Sequence, residues 1–205
     1  MREKIKHSLY IMVHPAAGFY SLKHERKGSY LLTVLNPILF WAFYSINKQY
    51  AGFVVNDVDP LSLNSLIDLA GIVLLYLLWC GGNWAVTTLT DGEGKFREIA
   101  MVVSYSLTPL IIALIPATII GNLVVENEEA FYFIIIWIAI AWFAALLFMG
   151  TMSVHDYTVT KTVATIFLTF AAMLVIIFLT LLVITLIQQV IMLFVSIYTE
   201  LIFRA

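Results

Sequence analysis

The sequence His155-Asp156-Tyr157 is the part of the chain that most resembles catalytic chemistry. A histidine beside a carboxylate suggests a general base with an orienting partner. No serine or cysteine nucleophile is placed to use it, and adjacent residues on a helix point in different directions. We therefore interpret His155 and Asp156 as a polar cluster at a helix end that contacts a partner. An enzyme at the membrane interface that uses these two residues is kept as an alternative.

The segment from Thr90 to Glu98 combines two glycines with alternating charges, which predicts a tight turn between antiparallel helices. It is not a phosphate-binding loop, because Leu89 and Phe96 stand where that motif needs Gly and Ser or Thr. It also lacks the ligand spacing of a calcium-binding EF-hand. Lys95 and Arg97 could contact lipid phosphates or acidic groups of a partner. We assign the cytoplasmic contact with a partner to all four charged residues of the segment: Asp91, Glu93, Lys95 and Arg97.

His14 and Pro15 begin a third polar segment. Pro15 disfavours helix at His14, and Gly18 permits a turn, so a hinge is expected here. His14, His155 and Asp156 would hold a metal only if their loops met, and neither histidine has a partner at helical ligand spacing. We expect no metal and no cofactor, and we place His14 in support of the partner contact.

The composition determines which elements must position these residues. Of 205 residues, 62% are hydrophobic and 12% are charged, compared with about 45–50% and about 25% in soluble domains. A soluble fold of this size cannot hide that much apolar surface. The chain is therefore predicted to be an all-α, polytopic transmembrane helical bundle whose main solvent is the lipid bilayer, with no nucleic-acid partner.

The stretches without Asp, Glu, Lys or Arg give the positions of the spans, because a bilayer core needs about 20 apolar residues of helix. The last stretch is too long for one crossing, so we expect its span to end at Gln188-Gln189 and an interfacial or packed helix to follow over 190–203. A sixth crossing there is the alternative. The five predicted spans fall within 29–47, 69–90, 99–125, 130–155 and 162–199.

The distribution of Lys and Arg predicts the orientation. Placing the N-terminus in the cytoplasm leaves nine basic residues inside and two, Lys48 and Arg204, outside. The expected location is the cell membrane, with the C-terminus outside. Residues 1–28 are predicted to be a cytoplasmic basic amphipathic segment with a short helix on the leaflet surface, and residues 29–205 a single transmembrane domain.

Within the spans, small residues and prolines predict close packing and kinks. We expect close helix approach at two glycines and breaks or kinks beside three prolines, with Ser106 and Thr108 satisfying freed carbonyls. No carboxylate lies at mid-membrane, which argues against an ion-coupled transporter. The packing and kink residues are Pro37, Gly81, Gly82, Tyr105, Pro109 and Pro116.

Taken together, the five spans, the Pro15–Phe19 segment, the Asp91–Lys95 turn and the Ser104–Pro109 kink resemble the Yip domain family of Ypt/Rab-GTPase-interacting membrane proteins. The resemblance covers roughly residues 10–200, and the short segment before the first span is similar to bacterial members. It implies no enzymatic activity. It also implies an accessory role beside carbohydrate ABC transporters.

The function we predict is that of a non-enzymatic accessory or scaffold subunit that binds other integral membrane proteins, transporter subunits among them, or a second copy of itself. The motivation is the absence of a complete catalytic set, the short loops and the small-residue helix faces. A channel or facilitator for a small solute, built around Pro109 and Pro116, is the other alternative.

Overall fold

A computed structural model describes residues 2–25, 27–56, 58 and 63–204, and this part of the chain is helical without strands. A short 3₁₀ turn, Glu126–Glu128, precedes α7. The α-helices in chain order are α1 Arg2–Val13, α2 Pro15–His24, α3 Tyr30–Tyr50, α4 Ser65–Leu89, α5 Phe96–Ser106, α6 Thr108–Gly121, α7 Glu129–His155 and α8 Val159–Arg204.

Five helical stretches in the described residues are long and apolar enough to cross a membrane, which confirms the predicted all-α bundle of five spans. The first two are α3 and α4, the third consists of α5 and α6 together, and the last two are α7 and α8. We call the end of the bundle that carries residues 90–95 and 156–158 the near end. The far end carries residues 51–56 and 122–128.

The third span is broken at Leu107, where α5 ends and α6 begins. Pro109 has no N–H to offer the carbonyl of Tyr105, and the Thr108 hydroxyl donates to that carbonyl at 2.7 Å. The expected break and the expected role of Thr108 are therefore both present. Pro116, in contrast, lies inside a continuous α6.

Pro37 lies inside α3 without ending it. A proline at this position leaves the carbonyl of Thr33 without its helical donor. The Ser104 hydroxyl of α5 lies 3.0 Å from that carbonyl and 2.9 Å from the carbonyl of Leu32. In return, the Asn36 amide donates to the Ser104 carbonyl at 3.0 Å. The proline thus creates the polar contact that joins the first span to the third.

A second polar cluster joins three spans near the far end. Tyr132 of α7 donates to the Asn47 side chain at 2.9 Å. The Asn47 amide donates in turn to Thr118 of α6, also at 2.9 Å. Hydrogen bonds of this kind are favourable between helices in lipid, where no water competes for the groups.

The first two helices form a hairpin that packs into the bundle, whereas the sequence indicated a single helix on the leaflet surface. Ser8 of α1 exchanges a hydrogen bond of 2.9 Å with Thr108. At the hairpin turn, the Trp142 indole donates to the carbonyl of Met12 at 3.1 Å. Trp142 lies 13 residues before the near end of α7, about 20 Å along the helix axis. The turn is therefore inserted deep beside the spans.

The last span packs on α4 through a buried row of threonines, Thr162, Thr165 and Thr169, all at most 1% exposed. Of the two glycines expected to allow close approach, Gly82 does so, since a Cβ there would meet the Thr169 carbonyl at 3.2 Å. At Gly81 a Cβ would meet nothing within 4 Å.

The expected helix break at Gln188-Gln189 is absent. A single helix, α8, runs from Val159 to Arg204 without interruption. The segment contains neither Gly nor Pro, and a glutamine pair satisfies its own backbone as well as any helical residue does. The separate helix predicted over 190–203 is the continuation of α8.

Candidate functional site

The predicted turn between α4 and α5 is present, and its backbone is fixed by its own residues. Asp91 adopts the left-handed conformation with φ 53°, which Asp tolerates better than most residues. The Gly92 N–H then donates back to the Thr87 carbonyl at 2.8 Å. Glu98 caps α5 by accepting a 3.0 Å hydrogen bond from the Lys95 N–H. We call residues 90–97 the near-end loop.

His155 lies beneath this loop, with a side chain that is only 2% exposed. Its Nδ1 accepts from the Gly94 N–H at 3.2 Å. Its Nε2 lies 3.2 Å from the Asn83 Oδ1. These two contacts require a neutral ring with the proton on Nε2, because only that form accepts at one nitrogen and donates at the other. The ring therefore serves as a structural support for the loop.

The hydrogen bonds continue from His155 into the membrane-spanning part of the bundle. The Asn83 amide donates to Thr169 of α8 at 3.2 Å. The Thr169 hydroxyl donates in turn to the carbonyl of Thr165 at 2.8 Å. The near-end loop is thus connected through one chain of buried polar groups to the contact between α4 and α8, and such connected networks give a single defined arrangement.

Both glycines of the loop are required by this packing. A Cβ on Gly94 would lie 2.5 Å from His155 Cε1 and 2.6 Å from Val154 Cγ1. A Cβ on Gly92 would lie 2.6 Å from the Tyr157 hydroxyl. Tyr157 also stacks on His155 at 5.2 Å between ring centroids. Its hydroxyl lies 2.9 Å from that of Thr90.

Lys23 of α2 joins the hairpin to the loop. Its ammonium donates to Glu93 at 3.0 Å and also contacts the Asp156 carboxylate. Burial alone would lower the pKa of Lys23, but the hydrogen bonds to Asp156 and Glu93 outweigh it and raise that pKa. The hydrogen bond from Lys23 likewise lowers the pKa of Asp156. Lys23 and Asp156 are therefore both charged at neutral pH.

The outer face of the loop carries charges that point away from the bundle. Asp91 and Lys95 are exposed, and neither forms an ion pair within the described residues. Arg97 contacts the Tyr30 hydroxyl and lies 5.1 Å from the centre of its ring. Phe96, between the two basic residues, is also exposed, with its ring against Trp84.

The structure brings six of the seven predicted contact residues to the near end. Asp91, Glu93, Lys95 and Arg97 lie on or beside the loop, and His155 and Asp156 hold it from below. His14 is the exception. It lies at the hairpin turn, stacked on Tyr10, at the depth of Trp142.

The catalytic alternative finds little support in this geometry. Both ring nitrogens of His155 are engaged with Gly94 and Asn83. The neighbouring Asp156 ends α7 in the left-handed conformation and turns its carboxylate to Lys23. His14 lies too far away to complete a metal site, and no group of three or more His, Cys, Asp or Glu among the described residues could hold a metal ion.

Lys23 and Thr169 belong to the site, and the sequence did not indicate this for either residue. In the sequence Lys23 is one of several neighbouring basic residues, with His24, Arg26 and Lys27 directly after it, so no local signal distinguishes it. The spacing of the threonines at 162, 165 and 169 places them on one helical face. That pattern was the signal for a polar contact within the membrane.

An apolar cavity of about 560 Å³ lies between α4, α7 and α8 and reaches the break in the third span. Its walls are carbon, and the hydroxyl of Tyr76, which borders it, donates to the Ala100 carbonyl at 2.9 Å. Leu107 at the break is one of its lining residues. A path for a polar solute needs polar groups to replace water, and the lining of this cavity is almost entirely apolar.

Comparison with protein families matches residues 9–184 to the Yip1 domain. Comparisons with curated proteins and with solved structures found no match. The matched range begins within the α1–α2 hairpin, contains the near-end loop with its supporting residues, and ends within α8. Since it covers most of the chain, this multi-pass membrane protein belongs to the Yip1 domain family.

Proposed function

We propose that this protein is a non-enzymatic accessory or scaffold subunit that binds another integral membrane protein through the near-end loop. The observation that supports this most is the contrast between the two sides of the loop. Its inner side is held by the buried His155 and its network. Its outer side presents Asp91, Lys95 and Phe96, all exposed.

This contrast fits a recognition surface because an ordered backbone loses little further entropy when a partner binds. Exposed charges of both signs supply orientation and specificity rather than bulk affinity. An exposed aromatic among them supplies a contact of the type that is enriched at interfaces. A flexible polar connector would not need a buried histidine and two packed glycines to hold it.

The partner class we propose is an integral membrane protein with a complementary charged loop at the same side of the bilayer. The permease subunits of a carbohydrate ABC transporter are the candidates that the family resemblance suggested, with self-association as the other option. In this proposal the near end lies on the cytoplasmic side of the cell membrane, as the distribution of Lys and Arg predicts.

The test uses a double variant that changes only the outward charges, Asp91→Asn with Lys95→Gln. Neither side chain forms an ion pair in the described part of the chain, so the loop itself is retained. The tagged protein is purified in mild detergent from its native host, and the recovery of co-purifying membrane proteins is quantified against the unchanged chain.

We expect the recovery of one stoichiometric membrane partner to fall severalfold in the double variant. The matched control is Lys161→Gln, which removes an exposed near-end charge that lies outside the loop and rests on the Tyr157 ring. The control should leave recovery unchanged. Equal recovery from the double variant and the unchanged chain would reject the loop as the contact.

A further inference from the structure

A second site lies between the two arms of the α1–α2 hairpin, on a part of the protein that the near-end loop does not use. The arms enclose an open groove of about 730 Å³. The end of the groove nearest the near end is cationic, with Lys4 and Lys6 on one arm and Lys27 after the other. Glu3 and Glu25 also line this end, and Glu25 is paired with Lys27 at 2.5 Å.

The character of the groove changes along its length. Towards the hairpin turn the lining residues are Tyr10, Ala17 and Tyr20, which present rings and methyl carbons. The turn itself lies beside Trp142, deep along α7. The groove therefore runs from a charged outer end to an apolar inner end in the same direction as the polarity of a lipid leaflet.

One buried group in this groove lacks a hydrogen-bond partner. His7, one turn above Tyr10, lines the groove, and its Nε2 is buried with no partner among the described atoms. Ser29 Oγ is also unpaired. Both residues contact Tyr105, His7 through its ring and Ser29 through its N–H. Buried polar atoms are normally satisfied, so an unpaired nitrogen on a residue that lines this groove indicates a missing hydrogen-bonding group.

A phosphate with attached hydrocarbon meets all three features. Its oxygens are strong acceptors for Lys ammonium groups and for a histidine N–H. Its hydrocarbon matches the aromatic inner end of the groove. A soluble phosphate would use the lysines but would leave the rings of Tyr10 and Tyr20 uncovered.

We propose that the hairpin groove binds one anionic phospholipid, with its phosphate held by Lys4, Lys6 and His7 and the start of an acyl chain along Tyr10 and Tyr20. The bound lipid completes the contact between the hairpin and the spans. It also makes the position of the hairpin, and so of Lys23 at its end, dependent on the composition of the near leaflet.

The experiment is a titration of the full-length chain, delipidated in mild detergent, with phosphatidylglycerol or phosphatidylcholine, followed by native mass spectrometry. We expect one site with preference for phosphatidylglycerol. Each lysine near a lipid headgroup contributes about fivefold to the affinity. The double variant Lys4→Gln with Lys6→Gln should therefore raise the Kd for phosphatidylglycerol about 25-fold. Lys161→Gln, which removes a lysine outside the groove, should leave that Kd unchanged.

A second variant separates binding from folding. His7→Phe keeps the ring against Tyr105 but removes Nε2, and it should weaken binding of phosphatidylglycerol severalfold while the protein remains monodisperse. Equal binding of the two lipids, or an unchanged Kd in the double lysine variant, would overturn the proposal. Displacement of the lipid by excess inorganic phosphate alone would overturn the assignment to a lipid.

Discussion

Replacing Gly94 with Ala tests the buried support of the near-end loop with the smallest possible change. The added Cβ would lie 2.5 Å from His155 Cε1 and 2.6 Å from Val154 Cγ1. Neither neighbour can yield easily, because Val154 is fully buried and His155 is held at both ring nitrogens. Gly94 has no positive φ, so the cost is one of packing alone.

Overpacking of this kind costs about 1–3 kcal/mol. For a chain of this length that corresponds to a fall in Tm of roughly 2–12 °C, at about 2–4 °C for each kcal/mol. The assay is thermal unfolding of the purified protein in detergent, followed by tryptophan fluorescence. Recovery of the co-purifying partner should fall as well, because the loop backbone must move away from His155.

Gly81→Ala is the matched control. It makes the same chemical change in the middle of α4, where the new Cβ meets nothing within 4 Å. It should leave Tm unchanged or raise it, since Ala is favoured over Gly in a helix by up to about 1 kcal/mol. If Gly94→Ala were as stable as Gly81→Ala, the packed contact between the loop and His155 would be refuted.

Two further variants test contacts at other depths. Lys23→Met keeps the aliphatic stem and should cost only about 0.5–1 kcal/mol at pH 7, because Glu93 and Asp156 are largely exposed to solvent. The pKa of Asp156 is lowered and that of Lys23 is raised. The difference in Tm between the variant and the unchanged chain should therefore vanish as the pH falls below 3.8, which is the ordinary pKa of Asp156. It should also vanish as the pH rises well above 10.5, which is the ordinary pKa of Lys23. Ser104→Ala removes the donor to the carbonyl that Pro37 leaves free and should cost about 1 kcal/mol in the same unfolding assay.

The spans could be predicted from the sequence because charge is expensive in lipid. Each charge-free run of suitable length became a helix, and Pro109 broke the third span where the missing N–H required it. The long α8 could not be predicted in the same way. The polarity of Gln188 and Gln189 suggested that a helix ends there. Glutamine does not break helices, however, and α8 continues through both residues.

The site was predicted in part for a similar reason. The turn residues around Asp91 and Gly94 have strong local conformational preferences, so the presence of the loop could be predicted from the sequence alone. The partners of that loop are distant in sequence: Lys23 lies 70 residues before Glu93, and His155 lies 61 residues after Gly94. Such pairings depend on how the spans pack, and local patterns do not encode them.

Site-specific photocrosslinking in native membranes tests the partner-binding role of the near-end loop most directly, with a photoreactive residue at position 95 and, as the control, at position 161. We expect a crosslink to one integral membrane protein from position 95 and none to that protein from position 161. Lipid adducts alone from position 95, or the same protein crosslinks from both positions, would contradict a partner-binding role for the near-end loop.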